Sequence, residues 1–443
     1  MMKICPAHID LPSPVEECIK YVWSIFCYHF EATPSFSHEI NSIKINCRQD
    51  ADIQISQNFV NTICQKKYKQ SDVFIDQPIM YCENGKPDYL GSSFYLLNYL
   101  QEFNATKEEM DDYGRFSYHS SYQARFDCAH DDLVSSYFEK ISQNITAFES
   151  KSLPKPSRVF LSHDIDTITA SLLHEGKAAV VKKDIALVLK VILKHVLNGP
   201  SYRNMDRIMD IHDQYDAKST FFWLVKKGKY QSPYTEKPIP HSDYRIDNKV
   251  IQQIQRRIVD RGFENGLHKS ASRTSFNNEI NDLAEKVLGN RNHYLFVRMP
   301  DHFAAIEKSK ILLDFSMGFG RMYGHRNSYA RPFIPYSMKN NTNYSFLEVP
   351  LQLMDTTFKF YQKRSAKQTE KLILDFMEKH RFNSVISILW HNDMFSPVKN
   401  PQWLKLYKSI LDYLRQNQLR SITQKELLTE RASMLTSFHN SFS

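Results

Sequence analysis

The sequence predicts an α/β protein in two parts. A smaller mixed α/β domain spans residues 1–150, and a distorted (β/α) barrel of about seven strands spans residues 157–443. Three observations predict this. From residue 158 onward, short apolar runs alternate with helix-like stretches, the order expected of parallel strands joined by helices. All seven cysteines lie between Cys5 and Cys128 and none follows. Between the two parts, residues 149–157 hold two prolines among small polar residues and break any periodicity.

Each element has a local signal. In the first part, residues 14–30 repeat apolar positions at helical spacing, residues 43–48 alternate like a strand, and residues 87–103 suggest a turn followed by a helix. No repeat and no chemical constellation stands out there. In the second part, residues 158–162 form the first strand. Helix 203–216 leads to strand 219–225, helix 248–261 to strand 263–268, and helix 276–288 to a strand at Tyr294–Val297. Helix 303–313 precedes the segment 315–319, and a strand follows at 347–353. Helix 366–380 leads to strand 384–390, and helix 401–416 to a short strand at 420–423. Residues 179–197 are apolar and basic. They suit either a helix lying on a membrane surface or an ordinary helix packed on the barrel, and the second is expected.

Composition narrows the function classes. The 443 residues are 42% hydrophobic and 24% charged, the balance of a chain with a large core rather than a disordered one. Mean hydropathy is −0.48, and no window holds about 20 consecutive apolar residues, so no integral membrane segment is expected. Prolines and acids occupy the N-terminal stretch where a secretory signal needs an apolar run, and the odd cysteine count without C-x-x-C suits reduced thiols; a cytoplasmic location is expected. The net charge of +8 is spread along the chain without a basic block, so no nucleic-acid partner is expected. With only 12 glycines, neither a dinucleotide fingerprint nor a P-loop is present.

Polar residues gather at the expected strand ends. Asp164 and Asp166 end the first strand, and two carboxylates two residues apart on an extended chain point the same way. Such a pair repels unless a cation or a proton lies between, which suits one metal ligand plus one general base; a loop pair capping a helix is the alternative. His268 ends another strand, and a neutral imidazole there is a good ligand for a divalent cation or a structural histidine. Arg291-Asn292-His293 precedes the strand expected at 294–297, and Arg298-Met299-Pro300-Asp301-His302 follows it. Gly324-His325-Arg326 and Trp390-His391-Asn392 complete the set. Among the aromatics, Trp223 is expected in the core. Trp390, Trp403 and Tyr323, Tyr329 and Tyr336 are candidates to stack on a ligand.

In order, SHDID, GLHKSAS, RNHYLFVRMP, GHRNSYARPF, LEVPLQLMD and LWHN resemble the polysaccharide deacetylase family of metal-dependent carbohydrate esterases, over residues 157–430. A bacterial branch with an extra N-terminal domain of unknown role is the nearest likeness. The resemblance implies Asp164 as base and Asp166 as metal ligand, with Ile165 inserted between two aspartates that are adjacent in most members. His268 fills the first place of the family's paired metal histidines. Ser272 stands in the second, and His293 is our candidate for the missing nitrogen. Arg298 matches the arginine that steadies the base, with Arg326 as a second candidate. Leu389 and His391 match the last motif, with His391 as proton donor, and Trp390 and Asn392 are the expected substrate contacts.

The implied function is metal-dependent removal of acetyl groups from an N-acetylated polysaccharide or glycan precursor. The cofactor implied is a divalent metal, foremost Zn²⁺. The alternative, raised by Ser272, is a catalytically degenerate carbohydrate-binding protein of surface-glycan metabolism.

Overall fold

The computed structural model describes residues 3–37, 39, 41–68, 79–145, 154–231, 235 and 238–439. Most of the proline-bearing segment 149–157 lies outside them. The N-terminal region carries four parallel strands, β1 (Lys3–Asp10), β2 (Ala32–Phe36), β3 (Ile43–Asn46) and β4 (Ile53–Gln54), in the order β2-β1-β3-β4. Helix α1 (Ser13–His29) starts with a proline in its first turn, where the missing N–H has no helical acceptor to lose. It buries Val15, Ile19, Val22, Trp23 and Phe26, which makes it the spine of this region rather than a surface helix. Helices α2 (Tyr89–Leu97) and α3 (Leu133–Gln143) pack beside it. The cysteines are all free, and Cys5, Cys18, Cys27 and Cys128 are buried as small apolar groups.

The second region is a curled parallel sheet of eight strands forming a half-barrel flanked by helices. Its strands are β5 (Arg158–Ile165), β6 (Ser219–Leu224), β7 (Glu264–Lys269), β8 (Gly289–Asn292), β9 (Leu313–Asp314), β10 (Leu347–Glu348), β11 (Leu353–Met354) and β12 (Val385–Leu389). They lie in the order β10-β9-β8-β7-β6-β5-β12-β11, every neighbour parallel. Burial on both faces accounts for apolar strands such as Phe221-Phe222-Trp223. The helices that matter below are α4 (Ser171–Val181), α5 (Ile185–Asn198), α6 (Met205–Asp213), α7 (Lys249–Asp260), α8 (Ala366–Lys379), α9 (Pro401–Gln416) and α10 (Gln424–His439).

Four expectations change. The helix expected at 276–288 stops at Ile280. The apolar run Tyr294–Val297 is not a strand. The strand is the polar Gly289–Asn292, and the chain then turns through Tyr294 and Leu295, both at positive φ. The single strand expected at 347–353 is two short ones at opposite ends of the strand order, β10 pairing with β9 and β11 with β12. Residues 420–423 give only a bridge, Ser421 to Val159, and lead into α10.

The two regions are joined through residues 321–340. Arg326 donates from Nε and Nη2 to the Glu102 carboxylate at 2.8 and 2.6 Å, with both side chains buried. Gln123 donates to the Arg326 carbonyl and Ser328 Oγ, and Tyr21 donates to the Ile334 carbonyl. Gly324 has φ +111, and a Cβ there would stand 2.2 Å from the Ala129 carbonyl oxygen, so this close approach needs glycine. Tyr329 and Tyr336 are buried in this seam and cannot stack on a ligand. Arg326 is therefore an interface residue, not the arginine of a site. Removing the charge of Glu102 leaves a guanidinium unpaired in the interior, a loss of about 3–5 kcal/mol. Glu102→Gln should lower the unfolding free energy in urea by that amount, seen as a lower midpoint with an unchanged slope, as followed by circular dichroism.

Candidate metal centre

Alternation along β5 builds the first wall of the site. Ser162 and Asp164 face inward, where both accept from Arg291 Nη1, at 2.8 and 3.0 Å. His163 faces outward, donating from Nδ1 to the Trp390 carbonyl among His212, Phe221, Phe395 and Tyr407. Asp166, one residue past the strand, returns to the inner side.

The second wall comes from β7 and β8. His268 Nδ1 lies 2.9 Å from the Arg291 carbonyl and His293 Nε2 lies 2.9 Å from the Pro240 carbonyl. A carbonyl oxygen only accepts, so both rings carry their protons on these outer nitrogens. The inner nitrogens, His268 Nε2 and His293 Nδ1, then turn lone pairs toward one another at 3.0 Å. Asp166 Oδ1 stands 3.3 Å from the first and 3.6 Å from the second. This oxygen is buried and has no hydrogen-bond partner.

Three acceptors meet with no donor among them, and these separations bracket the spacing of about 3.3 Å between ligands held 2.0–2.1 Å from a tetrahedral ion. Two imidazoles and a carboxylate fit a divalent metal of the zinc type. Asp166, His268 and His293 form a cluster that can hold one.

The charges follow from this crowding. Burial works against a charged Asp166, but the imidazoles of His293, His268 and His391 outweigh it and hold the carboxyl well below its usual range. Burial also opposes a charged His268, yet Asp164 and Asp166 prevail and raise its pKa. His293 is lowered to about 4, by burial first, against the pull of Asp166. The raised pKa of His268 favours a proton at the centre of the cluster where no cation is held.

Two groups flank the three donors. Asp164 Oδ2 is 3.6 Å from His268 Nε2 on one side, and His391 Nε2 is 3.7 Å from Asp166 Oδ2 on the other. Asp355, directly after β11, accepts from His391 Nδ1 at 2.7 Å and from its backbone N–H at 2.6 Å. Burial lowers the pKa of His391, but the Asp355 contact overrides it, and the pKa is raised to about 10. Arg291 also donates from Nε to the Phe315 carbonyl and lies over the Phe222 ring. Gly266 makes room for that ring, since a Cβ there would come within 2.4 Å of it.

Several expected roles are corrected. The guanidinium on Asp164 belongs to Arg291, not to Arg298 or Arg326. Arg298 lies beyond the turn at 293–295, whereas Arg291 is in β8 itself. Trp390 is fully buried against Trp403 and Tyr407, so it cannot stack on a ligand. Asn392 is buried too, and its amide nitrogen donates to the Thr167 and Tyr202 carbonyls, so the side chain braces the interior. Ser272 hydrogen-bonds Ser270, Thr274 and Glu279, outside the donor set, and the second nitrogen is that of His293. Trp223 is core, donating to Asn265. The pattern assigns no role to Asp355 or Arg291, although both lie within its motifs. Arg291 and His293 stand two apart like Asp164 and Asp166, and that spacing was the available signal.

A family model described as a family of unknown function (DUF7033) matches residues 12–149. None of the curated proteins matches the chain. Among solved structures, the chain is similar to a protein from Mycobacterium smegmatis assigned to the polysaccharide deacetylases, at 12% identity and TM-score 0.33, over 62% of this chain and 96% of that one. It is also similar to wild-type BA3943, a CE4 family pseudoenzyme from Bacillus anthracis, at 11% identity and TM-score 0.24, over 58% and 63%. A BA3943 mutant with restored enzymatic activity gives 10% and 0.27, over 62% and 70%. With TM-scores of this size, the site has to be read from its own side chains.

A metal entering this cluster displaces the proton on His268, so affinity rises with pH. Titration with Zn²⁺ against a chromophoric chelator should show tighter binding from about pH 6 to pH 8, with about one proton released per ion. His268→Ala or His293→Ala should weaken binding by more than about 100-fold. Ser272→Ala should leave it unchanged.

Proposed function

We propose that the protein is a metal-dependent hydrolase of amide-type linkages and that its substrate is an N-acetylated glycan or glycan precursor. The carrying observation is the flanking of three convergent donors by a buried carboxylate on one side and a histidine–carboxylate pair on the other. The resemblance of residues 157–430 to the polysaccharide deacetylases supports the acetamido substrate. Ser272, which suggested a degenerate site, lies outside the donor set.

Asp166, His268 and His293 would hold a divalent cation, which would supply Lewis acidity and a water of lowered pKa, from 15.7 toward about 7. The remaining work falls to the chain. Asp164 is the base that takes the proton of the attacking water on Oδ2, the oxygen that Arg291 leaves free. Arg291 anchors Oδ1 and keeps the carboxylate oriented. His391 stands on the opposite side as the acid. Its Nδ1–H is engaged by Asp355, and the raised pKa puts a second proton on Nε2, the one to be donated to the leaving amine. The pairing of a proton acceptor and a proton donor across the same bond divides the two proton transfers between them.

The test is acetate release from an N-acetylated sugar oligomer by the metal-loaded protein. Asp164→Asn should lower turnover by about 10²–10⁴-fold while metal content, measured by elemental analysis, stays near that of the parent. Loss of metal along with turnover would assign Asp164 to binding instead. No acetate release by fully metal-loaded protein from any N-acetylated glycan would remove the proposal.

The acid role has its own pH signature. His391 is protonated below its raised pKa, so the rate should fall on the alkaline side only as pH approaches about 10. Asp355→Asn withdraws the stabilising negative charge, lowers that pKa and should move the alkaline limb toward neutral pH.

A further inference from the structure

Helices α4 and α5 form a hairpin that begins five residues after Asp166, at most about 18 Å of extended chain away. It was expected to pack on the barrel, and it does so with one face only. Ten of the fifteen large hydrophobic side chains exposed among the described residues lie on it, so apolar exposure is concentrated here rather than scattered. On α5 these are Ile185, Leu189, Ile192, Leu193, Val196 and Leu197, each 49–77% exposed. Their spacing of i, i+4, i+7, i+8, i+11 and i+12 makes one continuous stripe. Val191, on the opposite side of the helix, is buried. Leu173, Val180 and Val181 extend the stripe onto α4.

The charges bordering the stripe are mainly positive. Lys177, Lys182, Lys183 and Lys190 are exposed, Asp184 is the one exposed acid of the hairpin, and Glu175 is buried, accepting from Ser396 Oγ at 2.6 Å. We propose that this hairpin seats the protein on the surface of an anionic lipid bilayer. An apolar stripe edged by lysines matches acyl chains bordered by negative headgroups. A second copy docked face to face would instead set lysine against lysine. Spanning is excluded by length: the 14 residues of α5 reach about 21 Å, short of a hydrocarbon core of about 30 Å.

The base of the hairpin is sewn to the loop that carries His391. Ser201 N–H donates to Ser171 Oγ, Asn392 donates to the carbonyls of Thr167 and Tyr202, and Lys182 donates to the Val398 carbonyl. Docking therefore brings the bilayer to the rim of the metal cluster. The proposal itself does not depend on the hydrolytic reading.

The experiment is co-sedimentation of the full chain with vesicles of phosphatidylcholine, alone or mixed with phosphatidylglycerol. We expect binding to the mixed vesicles that is at least about tenfold tighter than to phosphatidylcholine and weakens with salt. Leu189→Gln with Leu193→Gln and Leu197→Gln should weaken it at least about tenfold with an unchanged circular dichroism spectrum. Lys177→Gln with Lys183→Gln and Lys190→Gln should abolish the preference for anionic lipid, which keeps the test decisive where the leucine variant fails to fold. The proposal is overturned if the parent stays in the supernatant with mixed vesicles, or if neither variant changes binding. A dimer in light scattering that the leucine changes dissociate, without lipid binding, overturns it in favour of a second copy.

Discussion

Two imidazole lone pairs and a carboxylate oxygen meet within 3.0–3.6 Å at the mouth of the sheet, and nothing but a cation or a proton can lie between them. That repulsion is the constraint on which the site depends. It is held in place by outer hydrogen bonds: the carbonyls of Arg291 and Pro240 fix both tautomers and aim both nitrogens inward. Arg291 serves twice, its carbonyl orienting His268 while its guanidinium holds Asp164. One residue of β8 thus couples a metal ligand to the base beside it.

The sheet supplies the convergence. Parallel strands end on the same side, and β5, β7, β8, β11 and β12 each deliver a polar residue there: Asp164, His268, Arg291 with His293, Asp355 and His391. Curling brings these strand ends to one point although β8 and β11 belong to opposite halves of the strand order. The polar character of β8 is tolerated in the interior because its side chains find partners there. Asn290 donates to Asp314, Asn292 to the Phe296 carbonyl and Arg291 to Ser162 and Asp164, so this buried strand directs its amide and guanidinium donors to internal acceptors.

This also explains where pattern reasoning succeeded. Asp164, Asp166 and His268 were legible because a two-residue period on an extended strand is local geometry, and β5 and β7 are flanked by clear apolar runs. Arg291 was passed over for Arg298 because β propensity favours Tyr294–Val297, whereas tertiary burial makes the polar Gly289–Asn292 the strand. Trp390 and Asn392 follow β12 as a ligand-facing pair would. Packing turns one into core against Tyr407 and the other into a brace for Thr167 and Tyr202. Likewise, the aromatic 321–340 segment suits a sugar platform by composition and is in fact the seam with the N-terminal region.

Order of elements, helix periodicity and the side of β5 on which two carboxylates stand are short-range properties, and the amino-acid sequence by itself determined them. Which histidine completes the metal cluster, which arginine meets Asp164 and which carboxylate orients His391 were decided only by the tertiary structure. Each of those pairings joins residues far apart along the chain, and their meeting depends on the curl of the sheet, a property no local pattern encodes.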